Sequence, residues 1–392
     1  MTRVALSLSL RSLNFIYTIE VHATQKLDVI LVIFKIKNMT NKMRTCIEYV
    51  WIGKGIDIRS KTKVLDIRET SLQSVENIPI WNYDGSSTGQ AEGIDSEVYI
   101  VPRRIFSDPF RGHHHKIVLC DTYTPDMIPL ESNHRANAVD MFSQNPETKP
   151  WYGLEQEFFL MERDTPNQGT MSGDYKIMGF NPENKQGQYY CSIGSQNAFG
   201  RKILETHLSC CLNAGVKIAG INAEVAPGQW EFQIGPCEGI EAGDHLYIAR
   251  YILERVAEDF GVCVNYDPKP ISEGEWNGSG CHTNFSTHDM RVDGGYEFIE
   301  KAVAALAIRH DEHMSVYGSG NERRMTGEHE TSSYSEFSFG VADRGRSIRI
   351  GTKTRDDKKG YFEDRRPSSN CDPYLVTAKM YETIVVRGDN QV

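Results

Sequence analysis

The chain has 392 residues, 39% hydrophobic and 24% charged, with a formal net charge of -10, a length and balance that predict a soluble globular protein of two or three domains. That acidity, without a long lysine or arginine run, argues against a nucleic-acid partner, and no apolar stretch is long enough to span a membrane. Nine cysteines, an odd number without a C-x-x-C pair, give no disulfide or zinc framework and suit a reducing compartment.

Residues 1–43 form an atypical extension. The first eighteen residues carry Arg3, Arg11 and several serines but no acid, the composition of a mitochondrial transit peptide, while Val29 to Phe34 is far too short to cross a bilayer. Two readings stand: a targeting segment, or an unstructured or wrongly assigned start with Met39 or Met43 as the real beginning. The second leaves the protein in the cytoplasm.

From Cys46 the pattern changes to short strand-like runs, Ile47–Ile52, Thr62–Ile67, Ile80–Tyr83, Val98–Val101 and Ile117–Cys120. They predict a small, mostly β first domain over residues 44–121. The loop Asp84-Gly85-Ser86-Ser87-Thr88-Gly89 reads as turn chemistry, and His113-His114-His115 as a solvated loop.

The second unit, residues 122–392, alternates strands with helices. Trp151 to Met161 is aromatic and aliphatic enough for an interior strand, yet it holds Glu155 and Glu157, which alternation puts on one face about 6.7 Å apart. At an effective dielectric of ~20 two bare carboxylates at that spacing repel by roughly 2.5 kcal/mol, so a cation between them is expected. The alternative is an edge strand with both acids in water. Leu204, Leu208 and Leu212, stopped by Gly215, predict one helix. Leu246, Ala249, Leu253, Val256 and Phe260 predict a second, and Ile299, Val303 and Leu306 a third. Thr165 to Lys185 reads as a long loop, and Cys210-Cys211 as packed or half-exposed thiols.

Glu224 and Glu231 flank Pro227-Gly228 symmetrically, so a two-residue turn sets them opposite each other across a hairpin, a second carboxylate pair in the same predicted sheet. Inward-facing acids require cations, and hard oxygen donors select magnesium or manganese, the usual partners of nucleotide phosphates. His282 and Glu363 are candidates to complete a ligand set, although a lone strand histidine is commonly a core residue and Glu363-Asp364-Arg365-Arg366 resembles a solvated charged face. Arg323, Arg324, Arg344, Arg349 and Arg365 supply guanidinium groups able to clamp carboxylates or phosphates. With no G-x-x-x-x-G-K-[ST] loop, any nucleotide must be held by metals and arginines.

Six strings, Trp81 to Thr88, Gly153 to Phe158, Asn222 to Pro236, Asn277 to Thr287, Asn321 to Gly327 and Lys358 to Pro373, resemble the glutamine synthetase family of the eukaryotic type, and the resemblance runs from about Glu48 to Asp389. It implies an α+β fold: a small β-grasp-like N-terminal domain and a catalytic domain (122–392) with a curved antiparallel sheet backed by helices. It also implies self-association into rings, a decamer, with active sites between subunits.

The resemblance implies an ATP-dependent ligase that joins L-glutamate and ammonium through γ-glutamyl phosphate, with two or three magnesium or manganese ions per active site. It assigns Glu155, Glu224 and Glu231 to one metal site and Glu157, His282 and Glu363 to the other. It has glutamate held by Trp276, Asn277, Gly278, His282, Arg324, Arg344 and Arg365. ATP would meet Glu155, the run Glu231, Phe232, Gln233, Ile234, Gly235 and Pro236, the run Asn284, Phe285 and Ser286, then Arg344, Arg349, Tyr361, Phe362 and Glu363. Asp84 is the expected base for ammonium, Glu330 the flap carboxylate and Arg344 a further catalytic group. Departures from the family pattern are Ile80 in place of an acid, Glu275 in place of Asn, and Gly351-Thr352-Lys353 in place of a Pro-Arg pair, the last expected to weaken ATP binding. The alternative is a catalytically silent member with a structural role, which a lost metal ligand would mark; all six are present.

Overall fold

The computed structural model describes residues 42–55, 57–163, 175–181 and 183–388. The transit-peptide reading and Met39 lie outside the described residues, as do residues 165–174 and 182 of the expected Thr165 to Lys185 loop, whose described part includes a short strand, Tyr175–Ile177.

Five strands, β1 (Lys42–Ile52), β2 (Ile58–Arg68), β3 (Trp81–Asp84), β4 (Glu97–Ser107) and β5 (Lys116–Tyr123), form the first sheet in the order β2-β1-β5-β4-β3. β1 and β5 run parallel and the remaining pairs antiparallel. Most of the strands are longer than the apolar runs that announce them, because the backbone pairing continues past the apolar residues into polar ones. β2 illustrates this: Lys61 and Lys63 lie on it with their ammonium groups 3.6 and 4.9 Å from the Trp81 ring centre, aliphatic stems against an aromatic face. The same face packs Ile47, Tyr49, Trp51, Ile100 and Val118, since Lys61 pairs with Tyr49 and Lys63 with Ile47, while Val50, Phe106, Ile117 and Leu119 belong to the larger core on the other face.

After α1 (His134–Phe142), the second sheet is built from β6 (Trp151–Arg163), β7 (Tyr175–Ile177), β8 (Ile218–Ala223), β9 (Gln229–Glu238), β10 (Val262–Asn265), β11 (Cys281–Ser286), β12 (Phe339–Val341), β13 (Ile348–Ile350) and β14 (Phe362–Asp364). Its order is β12-β13-β14-β11-β6-β9-β8, with β7 and β10 also pairing with β6. Only β12 and β13 pair in parallel; the sheet is otherwise antiparallel. The longer helices of the unit after α1 are α2 (Arg201–Ala214), α3 (Glu241–Phe260), α4 (Tyr296–Ile308) and α5 (Pro373–Tyr381). Among the described residues no helix is long and apolar enough to cross a membrane.

α3 fits its sequence well. Glu241 and Asp244 stand in its first turn, where the helix dipole favours acids, and Gly261 takes the left-handed conformation that ends it. Its buried face carries Leu246, Ile252, Leu253 and Val256 into the same core as Phe158 of β6 and Phe232 of β9, each side chain worth about 1.5–3 kcal/mol when withdrawn from water. α2 departs from expectation in detail. Its inner face is Ile203, Leu204, His207, Cys211 and Ala214, while Leu212 of the leucine series is 60% exposed. His207 holds a buried place because its Nε2 lies 3.0 Å from the Ala249 carbonyl of α3.

Alternation along β6 is what matters for the site. Leu154, Gln156 and Phe158 point into the core, where Gln156 Oε1 accepts from Arg250 at 2.8 and 2.5 Å. Glu155 and Glu157 therefore share the other face.

Candidate active site

That other face forms the wall of a cavity of about 430 Å³, and the strand register dictates which side chains meet in it. Glu157 pairs across the sheet with Glu231, and Glu231 with Asn222. Glu155 pairs with Gln233 on one side and His282 on the other. Asn284 pairs with Glu363, and Glu363 with Arg349. Successive strands thus bring six potential cation ligands, Glu155, Glu157, Glu224, Glu231, His282 and Glu363, onto one surface. All but Glu363 line the cavity directly, and Glu363 lies beneath it, 2% exposed.

The grouping differs from the one the resemblance implied. Ligand atoms of Glu155, His282 and Glu363 lie within 4.8 Å of one another, His282 Nδ1 being 3.6 Å from Glu155 and 3.4 Å from Glu363. Glu157 instead faces Glu231, and both of them interact with Glu224. Glu155 and Glu157 thus exchange places relative to the expected sets. The reason is register: β11 puts His282 level with Glu155, two residues from the Glu157 rung. The hairpin expectation also changes, since a five-residue loop, 224–228, joins the strands and Glu224 NH bonds to Gln229 O at 2.9 Å. Glu224 and Glu231 are diagonal neighbours on one face rather than direct partners. Gly228, at φ 64, takes the left-handed step in that loop, where a Cβ would meet the Met178 carbonyl at 2.7 Å.

Charge is balanced unevenly. Burial, then repulsion by Glu157 and Glu231, pushes the Glu224 carboxyl far up, and burial followed by Glu155 and Glu157 does the same to Glu231. Glu157 is also raised by burial, with Arg324 opposing. On the other side, Arg365 Nη1 bonds to Glu363 Oε1 at 2.8 Å and Arg349 Nε lies against its other oxygen. Burial and then Arg365 push His282 well below the usual histidine range, so its ring is neutral, a lone-pair donor rather than a cation. Hard carboxylate oxygens with one neutral imidazole, crowded together and partly uncompensated, fit divalent cations of the magnesium or manganese type.

Arginines close the other side of the cavity. Arg324, Arg344, Arg349 and Arg365 all line it. Arg324 is held by the Arg365 carbonyl at 2.8 Å, the Arg366 carbonyl at 3.2 Å and His282 Nε2 at 3.2 Å, and burial draws its guanidinium down to about 10. At the rim, His329 and Glu330 both adopt left-handed backbone, φ 53 and 60, sparsely populated for such residues. The segment is anchored below them by Thr331, whose hydroxyl bonds to the Glu328 and Arg324 carbonyls. His329 Nε2 faces Glu275 across the rim at 3.5 Å.

Other expected residues are distributed unevenly. Asn277 and Gly278 line the cavity, but Trp276 is buried against Phe180, 5.8 Å between ring centres. Phe232, Ile234, Phe285 and Phe362 have their side chains in the core, leaving only their backbone for a ligand. Pro236 lines a separate cleft with Trp151, Lys217, Glu238 and Glu241. Gly235 and Ser286 are not on the main cavity's wall, and Tyr361 is exposed away from it. Asp84 is likewise exposed and absent from the cavity of its own chain. Its carboxylate accepts from the Ser86, Ser96 and Ser87 hydroxyls, which hold it well below the usual carboxylate range. Sequence reasoning missed Tyr190, Asn222, Gln229, His329 and Thr331 as wall residues. Asn222 heads the Asn222 to Pro236 segment, but nothing about one polar residue on a strand signals its direction.

The family description "Glutamine synthetase, catalytic domain" matches residues 135–304. The chain is 53% identical over 346 residues to a chloroplastic glutamine synthetase of Brassica napus, covering 88% of this chain and 78% of that one. It is 52% identical over 343 residues to the cytosolic isozyme 1-1 of Oryza sativa subsp. japonica, 86% and 93% covered. It is 52% identical over 360 residues to root isozyme A of Pisum sativum, 91% and 97% covered.

Proposed function

The chain belongs to the glutamine synthetase family of enzymes, and from that premise we propose that it condenses L-glutamate with ammonia at the expense of ATP through a γ-glutamyl phosphate intermediate. The observation that carries the reading is one cavity lined by four acids, His282 and four arginines, with Glu363 held beside His282 and Glu155. A glutamate side chain is a poor electrophile. Transfer of the γ-phosphoryl group to one of its carboxylate oxygens, releasing ADP, makes an acyl phosphate whose carbonyl carbon ammonia attacks, expelling phosphate and leaving the amide.

Glu157, Glu224 and Glu231 would hold one divalent ion and Glu155, His282 and Glu363 another, magnesium or manganese. Bound ions supply charge neutralisation for the triphosphate and the phosphoryl group in flight. The chain's own residues do the remainder. Arg344, Arg349 and Arg365 face the cavity, where fixed guanidinium donors stabilise charge on the phosphoryl oxygens without reorganising. Asn277, Gly278 and Arg324 border the space for glutamate. The rim at His329 and Glu330 would close over the acyl phosphate and exclude water.

Asp84 must come from elsewhere, since it is not on this cavity. We therefore place the site between subunits of a ring, with Asp84 of a neighbour attracting ammonium and accepting its proton as the cation's N–H donors replace the serine hydroxyls. We also propose a cytoplasmic setting, as for the cytosolic isozyme among the relatives. Phosphate release from ATP with magnesium should require glutamate and ammonium together. ATP hydrolysis indifferent to both would overturn the reaction. For the shared site, Asp84→Ala and Glu363→Ala, each inactive, should regain activity when co-assembled, and mixed rings no more active than either parent would sink it.

A further inference from the structure

We infer that Asn222, Gln233 and Asn284 are positioning residues whose side-chain amides hold the cation-binding carboxylates in place, the first two serving Glu224 and Glu231 and the third serving Glu155. The inference rests on the proposed metal-dependent reading and deepens it. Gln233 Nε2 donates to Asn222 Oδ1 at 2.6 Å and also to Glu231 Oε1. Because the Asn222 oxygen is taken by that donor, its NH2 is forced to the other side, where Nδ2 donates to Glu224 Oε1 at 2.8 Å. The result is a directed chain, Gln233 to Asn222 to Glu224, with a branch to Glu231. Asn284 Nδ2 makes the corresponding contact on the other side, donating to Glu155 Oε1 at 2.7 Å with a weaker reach to the Gly153 carbonyl at 3.3 Å.

Neutral donors are the chemically apt choice. An amide N–H fixes one carboxylate oxygen and leaves the second for an ion, whereas a guanidinium would also contribute a positive charge that opposes the incoming cation. Glu363 shows the contrast: both of its oxygens are approached by arginine. The tethers also come from the facing rungs, Asn222 opposite Glu231 and Gln233 opposite Glu155, so a single sheet register sets both ligands and tethers. A consequence follows for the nucleotide. The side chains of Gln233 and Asn284 are committed to carboxylates, so any ATP contact at these positions falls to their backbone.

The test is a Mn²⁺ titration of the full chain without ATP or glutamate, free ion being read by electron paramagnetic resonance. The unaltered chain should bind at two distinguishable sites. Asn222→Ala should weaken one of them by about 10- to 100-fold and leave the other, while Asn284→Ala should do the reverse. Gln233→Leu should act on the same site as Asn222→Ala, and the pair together should cost little more than one alone, since both act through one chain of hydrogen bonds. Turnover of Asn222→Ala should recover at high Mn²⁺, which a distorted fold would not allow. If Asn222→Ala fails to fold, Gln233→Leu decides by the same criterion. Two intact binding events in all variants, or equal weakening of both in each, overturns the inference and leaves the proposed function standing. An unaltered chain that binds no Mn²⁺ removes the ligand assignment and this inference with it.

Discussion

The two halves of the acid cluster lie on one sheet face, each with three proposed ligand side chains, yet they are kept in register by opposite means. Around Glu363 the charge is matched inside the protein, by Arg365 at 2.8 Å and Arg349 alongside, with His282 neutral. Around Glu224 the charge is left open: Glu157 and Glu231 repel it, and its side-chain donor is the amide of Asn222. The first half is a buried ion pair that happens to offer a ligand. The second is a site whose charge must be completed from outside. A buried carboxylate therefore stabilises or destabilises the fold according to its partner, and the same substitution in the two halves should have opposite effects.

The largest effect is on catalysis, where the halves should agree. Glu224→Gln and Glu363→Gln should each lower phosphate release by about a thousandfold or more, the scale of losing a preorganised electrostatic group. Saturating magnesium that restores either to near the unaltered rate would break the ligand assignment for that half.

Stability should then separate them. Glu363→Gln removes one partner of a buried pair, 2% exposed against Arg365 at 7%, and should cost about 3 kcal/mol by stranding guanidinium charge. Glu224→Gln in metal-free protein removes repulsion and should raise stability by about 1 kcal/mol. Thermal midpoints at fixed protein concentration check both, and a common sign would mean that the arginines do not define the difference.

The pH dependence follows from the raised Glu157, Glu224 and Glu231 carboxyls. Their folded-state values lie above those of the unfolded chain, so the folded form binds more protons in between. Their contribution is complete below the ordinary carboxylate range and is lost as pH rises through neutrality into the mildly alkaline range. Metal-free protein should thus lose thermal stability between pH 6 and pH 9, magnesium should restore more of it at the higher pH, and Glu224→Gln should flatten the slope. A slope unchanged by both would place its origin elsewhere.

Much of this was legible in the chain. The E-x-E pair on an apolar strand announced its own electrostatic problem, because alternation at Glu155 and Glu157 is local. What the sequence left open depends on register between strands far apart in the chain. His282 falls level with Glu155 rather than Glu157 because β11 pairs with β6 in one of two neighbouring registers, and nothing within either strand selects it. For the same reason Asn222 was one more polar residue, and Gln233, expected to meet ATP, gave no sign of its contacts with Asn222 and Glu231 until β8, β9 and β6 align. Leu212 misled differently: its spacing was helical, but His207 and Cys211 occupied the buried face it suggested.

The smallest effect concerns the rim, and it tests whether burial sets the order of all the others. Glu275 and His329 face each other at 3.5 Å, but the Glu275 side chain is 90% exposed. Water and salt screen a pair so placed, and ordering the long glutamate side chain offsets part of what remains, leaving about 0.5 kcal/mol or less. The backbone around it is already held by Thr331, so Glu275→Gln should move the thermal midpoint by no more than about 2 °C. The apparent KM for glutamate should change less than about threefold, and that small change should vanish at 0.5 M salt while the Glu363→Gln defect persists. A Glu275→Gln loss comparable with that of Glu363→Gln, insensitive to salt, would show that the rim is held by a desolvated contact, and exposure would then be the wrong measure for ranking the charges of this site.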